Sequence, residues 1–153
     1  QEWANKLGLK ITGGLTENPL EVDFLSLRFY PVGDRFIPGK KPGRVLPKMG
    51  YTKATVGLET WAATLVSYLP SASHVPFLRT YLKVMLGYLK EKHGIDRNDE
   101  KIAGILSSRD YKYRIGGSLH SADATTLAAF EELYGIGIDE ERLFEEKLLD
   151  GVR

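Results

Sequence analysis

The 153-residue chain contains no cysteine, which removes disulfides and thiolate metal sites from consideration. No apolar run approaches the ~18 residues of a membrane-spanning helix. The longest candidate, Trp61 to Leu69, is short and interrupted by Thr64 and Ser67, and no secretory leader pattern is visible. Histidine is scarce, and His74, His93 and His120 are scattered. None stands at ligand spacing from another histidine or a carboxylate on one helix, so all three read as surface or capping residues. Gly39-Lys40 is followed by Lys41, not by the Ser or Thr that a phosphate-cradling loop needs. Gly116-Gly117-Ser118 lacks the frame of a nucleophile elbow. Glu21 and Asp23 are two apart, a spacing that reads as a solvated strand edge rather than a cation site. The chain therefore carries no complete active site of its own.

What is present is a globular composition with an uneven charge. Hydrophobic residues make up 42% and charged residues 27%, enough for a buried core and too apolar for a disordered tail. Net charge is only +1. Between Arg28 and Lys53, seven cations stand against Asp34 alone, a net of +6, while from Asp123 onward nine acids face three cations, a net of −6. Such polarity offers one face to a polyanion.

Along the chain, Gln1 to Lys10 reads as the last turns of a helix stopped by Gly8, which points to a piece of a longer protein. Leu9 to Thr12 suits a short strand. Leu20 to Tyr30 alternates, placing Val22, Phe24, Ser26, Arg28 and Tyr30 on one face. Pro31, Pro38, Pro42 and Pro47, with Gly33, Gly39 and Gly43, predict a non-helical basic loop in which Arg44 to Leu46 is at most a brief strand. Helical patterning starts near Thr55, with Leu58, Trp61, Leu65 and Tyr68 as its buried stripe and Pro70 as its end. A second helix begins near Pro76, carries Leu78, Leu82, Met85 and Leu89 on one face, and stops at Gly94. At about 100° per residue, Arg79, Lys83 and Lys90 fall within about 40° of one another, an outward basic stripe. Further helices are predicted from Asn98 to Leu106, from a Ser121 cap to Tyr134 with Gly135 as its stop, and after an Asp139 cap, where Glu140 and Glu141 suit the helix dipole. Arg109 to Ser118, with Tyr111 and Tyr113, reads as a connector. The fold class is α+β, mostly helical, with a short N-terminal β-hairpin. Residues 1–53 form the hairpin and basic loop, and 54–153 the helical body.

The basic stretch is the feature that points to a function. Glycine and proline hold its cations apart, and Arg28 alternates with aromatic residues, as stacking-plus-phosphate surfaces require.

Three segments carry a resemblance. Asn5 to Thr12 (NKLGLKIT) is similar to the end of motif D, Val22 to Phe29 (VDFLSLRF) to motif E, and Arg44 to Thr52 (RVLPKMGYT) to the passage from palm to thumb. In this order they resemble the C-terminal part of the RNA-directed RNA polymerases of positive-strand RNA viruses, the nodavirus type first and the picornavirus type more distantly. The resemblance covers roughly the first third of the chain. It implies a primer-grip hairpin at the end of a palm, followed by a helical thumb. Phe24 and Leu25 would be its packing residues, and Ser26 and Arg28 would approach the nascent strand. Lys40, Lys41, Arg44, Lys48 and Lys53, with Arg79 and Lys83 on the helical body, are the further RNA-binding candidates by charge. Leu27 departs from the basic residue common in relatives, and Lys10 substitutes weakly for the motif D lysine.

The resemblance also implies what lies elsewhere. The metal-binding aspartates of motifs A and C are absent, since Gly33-Asp34 follows motif E. Two-metal phosphoryl transfer needs those carboxylates, so Mg²⁺ belongs to the complete enzyme, none is bound by this chain, and the chain alone is predicted inactive. The implied partners are template-product RNA, nucleotides, and the remaining palm and fingers. The implied location is host cytoplasm at membrane-associated replication complexes. The alternatives are a stand-alone nucleic-acid-binding module and a non-enzymatic helical interaction domain.

Overall fold

A computed structural model describes residues 6–8, 14, 16–50, 56–108 and 119–153. The expected strand at Leu9 to Thr12, the connector at Arg109 to Ser118, and Lys53 lie outside the described residues. A 3₁₀ turn, Pro19–Glu21, is capped by the Asn18 side chain. Among the described residues, three antiparallel strands follow in sequence order, β1 (Asp23–Phe24), β2 (Leu27–Val32) and β3 (Arg35–Lys40), and then six helices, α1 (Pro42–Met49), α2 (Leu58–Ala72), α3 (Leu78–His93), α4 (Glu100–Ser108), α5 (Ala124–Tyr134) and α6 (Ile138–Val152). The α+β, mostly helical class read from the sequence is the one observed.

The single strand expected through Tyr30 is instead folded on itself. Leu25 and Ser26 adopt left-handed conformations (φ 49° and 66°) and turn β1 onto β2, pairing Phe24 with Leu27 and Asp23 with Arg28. A two-residue turn with both residues at positive φ matches the twist of a hairpin. Beyond it the faces differ from the predicted row, because paired residues share a face. Phe24 lies with Leu27, Phe29 and Pro31, and across the β2–β3 register with Phe36, Pro38 and Lys40. Arg28 and Tyr30 occupy the opposite face with Ile37 and Gly39.

That opposite face meets the helices. Tyr30 is fully buried in the same core as Leu65, Leu78, Leu82, Leu89 and Phe130. Gly39 permits the approach: a Cβ there would stand 2.5 Å from Val75 Cγ2 and 2.8 Å from both His74 Nε2 and Tyr30 Cδ2. No L side chain fits without displacing packed atoms. At the far end, Thr126 Oγ1 donates to the Pro31 carbonyl (2.5 Å), and the Gly33 amide donates to Asp123 Oδ2 (2.6 Å).

The helices correct several sequence-based boundaries. The proline-rich stretch contains α1, because Pro42 occupies the first turn, where its missing N–H costs nothing. Val45 and Met49, four apart, are buried, and Pro47 stays exposed. Pro70 does not end α2, which continues to Ala72. The α5 cap is Asp123 rather than Ser121, in a capping box with Thr126. The α6 cap is Gly137 rather than Asp139. The helix expected from Asn98 to Leu106 runs two residues later at each end, Glu100–Ser108. Gly94 and Gly135 stop α3 and α5 in left-handed conformations, as the sequence predicts.

One aromatic series ties these parts together. Tyr30 stacks near Phe130 (6.3 Å between centroids), Phe130 near Phe77 (5.7 Å), and Phe77 near Phe144 (5.4 Å). It runs from the sheet through α5 and the start of α3 to α6. Offset ring pairs of this kind add about 0.5–1.5 kcal/mol each beyond area burial.

Candidate nucleic-acid interface

The hairpin tip is built from residues that local rules disfavour. Neither Leu25 nor Ser26 is glycine or asparagine, the usual choices at positive φ. Leu25 is nonetheless 77% exposed and Phe24 58% exposed. A strained turn presenting apolar side chains to solvent departs from two rules at once, the pattern of functional sites. The turn is held from the side by α1, where Arg44 Nη1 donates to Ser26 Oγ at 2.6 Å. Just before α1, Lys41 pairs with Asp23. The hydrogen bond from Lys41 holds the Asp23 carboxyl below its ordinary range. Ser26, Lys41 and Arg44 are thus brought together at the tip. Lys48 is exposed on α1.

Lys40 lies on the outer face of β3, in register with Leu27, and forms no ion pair among the described residues. Arg28 turns the other way. Its Nη1 donates to the Leu20 carbonyl (3.1 Å), and its guanidinium lies 5.9 Å from the centre of the Tyr134 ring. Its Nε is buried without a hydrogen-bond partner. Tyr30, expected beside it on a stacking surface, is fully buried, with its hydroxyl 3.0 Å from that of Tyr134.

The basic stripe on α3 is not an open cationic surface. Glu141 takes Arg79 (Nη2–Oε2 2.7 Å), Glu145 takes Lys83 (2.8 Å), and Asp96 takes Lys90 (2.7 Å). Two of those acids, Glu141 and Glu145, stand on α6, so two of the nine C-terminal acids are engaged with α3. Glu141 is only 3% exposed and also accepts from the Phe77 amide (3.0 Å) and from Thr80 Oγ1 (2.6 Å). Burial alone would raise the Glu141 carboxyl. The hydrogen bonds from Arg79, Thr80 and Phe77 outweigh it, and the group titrates below its usual range. Phe77 is held at positive φ (64°) at the α3 cap.

His74 corrects the reading of the histidines as surface or capping groups. It is fully buried, edge-on to Tyr30 and His120 (6.1 Å each), and neither ring nitrogen makes a well-formed hydrogen bond among the described residues. Burial, reinforced by His120 and only partly offset by the Ile37 carbonyl, lowers its pKa to about 4. It is neutral at pH 7.

Among the described residues no three His, Asp or Glu side chains converge as a metal site. Glu21 accepts from Thr16 (2.8 Å), and Asp23 is taken by Lys41. No described helix is long and apolar enough to cross a membrane. No family model, curated protein or solved structure matches the chain.

Proposed function

We propose that the chain is the C-terminal palm-and-thumb portion of an RNA-directed RNA polymerase of the positive-strand virus type. Its hairpin holds the primer or product strand, and its helical body clamps the template-product duplex. The observation that supports this reading best is the turn at Leu25–Ser26. It makes the motif E-like stretch a hairpin, exposes its tip, and sets Ser26 against Arg44 with Lys41 alongside. Arg44 and Lys41 each have one partner at the tip, and both cations can exchange it for a phosphate, a charge-assisted contact without sequence preference.

The role is positional. Holding the strand end places its 3′ hydroxyl for in-line attack. The aspartates and Mg²⁺ that perform nucleotidyl transfer belong to the rest of the palm, with replication sited at membrane-associated complexes of the host cytoplasm. The test is primer extension by the complete polymerase carrying Lys40→Glu, Lys41→Glu and Arg44→Glu. Extension should fall at least about tenfold, and more steeply as salt rises. Unchanged extension, or a parent reading frame without an upstream Gly-Asp-Asp or Gly-Asp-Asn, would overturn the reading.

A second reading, a self-contained nucleic-acid-binding module, is favoured by the single core that hairpin and helices share through Tyr30 and Phe130. Under it the isolated chain holds RNA with steep salt dependence and needs no other domain.

A further inference from the structure

The outer face of the sheet has a property that the tip and its cations do not explain. Phe24, Phe29 and Phe36 stand one on each strand. Phe24 pairs with Leu27, two residues before Phe29, and Phe29 pairs with Pro38, two residues after Phe36. The three residues therefore form a diagonal row, each step a diagonal neighbour with positions about 7–8 Å apart. Among the described residues none of them stacks on another ring, whereas Tyr30, Phe77, Phe130, Tyr134 and Phe144 all do. None belongs to the core or to the hydrophobic residues packed against it. Phe24 is 58% and Phe36 47% exposed. The rest of the face is Leu27, Pro31, Pro38 and the unpaired Lys40, with no carboxylate.

We propose that this face is a stacking platform for single-stranded RNA. Residue positions about 7–8 Å apart match the separation of two rings that hold one flat ring between them at about 3.5 Å on either side. Planar bases match that geometry. Lys40 supplies a phosphate contact on the same face, and Arg44, bonded to Ser26 at the hairpin tip, adds positive charge beside it. An acid-free aromatic face carrying a cation complements a polyanion with planar bases, whereas the same face of a second copy would bring another cation and no carboxylate against it. The inference rests on the nucleic-acid reading of the hairpin and not on the polymerase assignment. It places the contact on the face opposite Arg28 and Tyr30.

The test is a titration of the isotope-labelled full chain, followed by NMR, with oligoadenylate, with a duplex of equal length, and with inorganic polyphosphate as a charged probe without bases. Oligoadenylate should shift resonances of Phe24, Phe29, Phe36 and Lys40, and bind more tightly than either other probe. Phe24→Ala and Phe36→Ala, both at exposed sites, should each weaken oligoadenylate at least about fivefold, the low end for loss of one base–aromatic stack. Phe36→Trp should retain binding, and polyphosphate should be indifferent to all three changes. Equal response to polyphosphate, unchanged affinity in both alanine variants, shifts confined to α3 and α6, or self-association through this face without RNA would each overturn the proposal. All four outcomes leave primer extension by the complete polymerase, and hence the polymerase assignment, to its own test.

Discussion

Glu141 is the residue whose loss should be felt most. It is 3% exposed, and its carboxylate accepts four hydrogen bonds, from the Phe77 amide (3.0 Å), Arg79 Nε (2.9 Å), Arg79 Nη2 (2.7 Å) and Thr80 Oγ1 (2.6 Å). Glu141→Ala leaves a guanidinium, an amide and a hydroxyl without their acceptor. Breaking a buried ion pair from one side costs about 3–5 kcal/mol. The Arg79 side chain keeps 28% exposure, so water recovers part of that, and about 3 kcal/mol is expected. Glu141→Gln is gentler. Its carbonyl can take the Oε1 position, which serves Phe77, Arg79 Nε and Thr80, but its amide then faces Arg79 Nη2, donor against donor. A loss of about 2 kcal/mol follows.

Urea unfolding at pH 7, read by far-ultraviolet circular dichroism, measures both variants. Arg79→Met and its double variant with Glu141→Gln complete a cycle, with coupling of at least about 1 kcal/mol expected. The Glu141 carboxyl is depressed in the folded state. Its stabilisation is therefore complete above the unfolded pKa of about 4.3 and fades as pH falls through the lower folded value. Glu141→Gln should flatten that acid limb. A loss below about 1 kcal/mol in Glu141→Ala would refute the reasoning, as would a coupling indistinguishable from zero.

Other outcomes follow from the same packing. Gly39→Ala should cost at least about 1–3 kcal/mol in urea unfolding, because the new methyl meets Val75, His74 and Tyr30 at once; neutral behaviour would show that the sheet is not seated on His74. His74, with its pKa lowered to about 4, refuses a proton that the unfolded chain takes up near pH 6.5. Stability should then decline by roughly 3 kcal/mol as pH falls across that window, and His74→Leu should remove most of the slope. Replacing the turn by Leu25→Asn with Ser26→Gly should stabilise the fold by about 1–2 kcal/mol, since both residues then suit positive φ. Under the proposed polymerase reading, primer extension by the whole enzyme should fall in the same variant, and an unchanged rate would separate the strained turn from function.

The helical body was largely legible, because a helix that buries one stripe announces it every three or four residues. Leu78, Leu82, Met85 and Leu89, chosen by spacing, are all buried. The glycine stops at Gly94 and Gly135 were equally plain, since only glycine enters the left-handed region freely. The partners of the α3 cations were not legible. The stripe of Arg79, Lys83 and Lys90 looked outward on a helical wheel, which cannot tell solvent from another helix. What neutralises Arg79 and Lys83 is α6, distant in sequence and joined only by tertiary folding. Helix α1 escaped notice because four prolines and three glycines over Pro31 to Pro47 argue against helix, while the apolar signal for it is one pair, Val45 and Met49.

The hairpin shows how far one turn can carry a misreading. Side chains alternate with a period of two, so a reversal placed at Leu25–Ser26 reassigns the face of every residue beyond it. Read as one strand, Phe24, Arg28 and Tyr30 make a row aimed at a ligand. Folded, that row breaks, Tyr30 enters the core, and Arg28 turns toward Tyr134. Phe24 acquires Phe29 and Phe36 as companions instead. A signal for the second turn was present. Leu27 to Val32 and Arg35 to Lys40 are short β-prone runs separated by Gly33-Asp34, a two-residue spacing that itself predicts a hairpin. No such signal marks the first turn, because Leu-Ser is an unfavourable pair at positive φ. A turn that sequence rules reject, yet which decides what the sheet presents to solvent, is where selection for function rather than stability is expected to act.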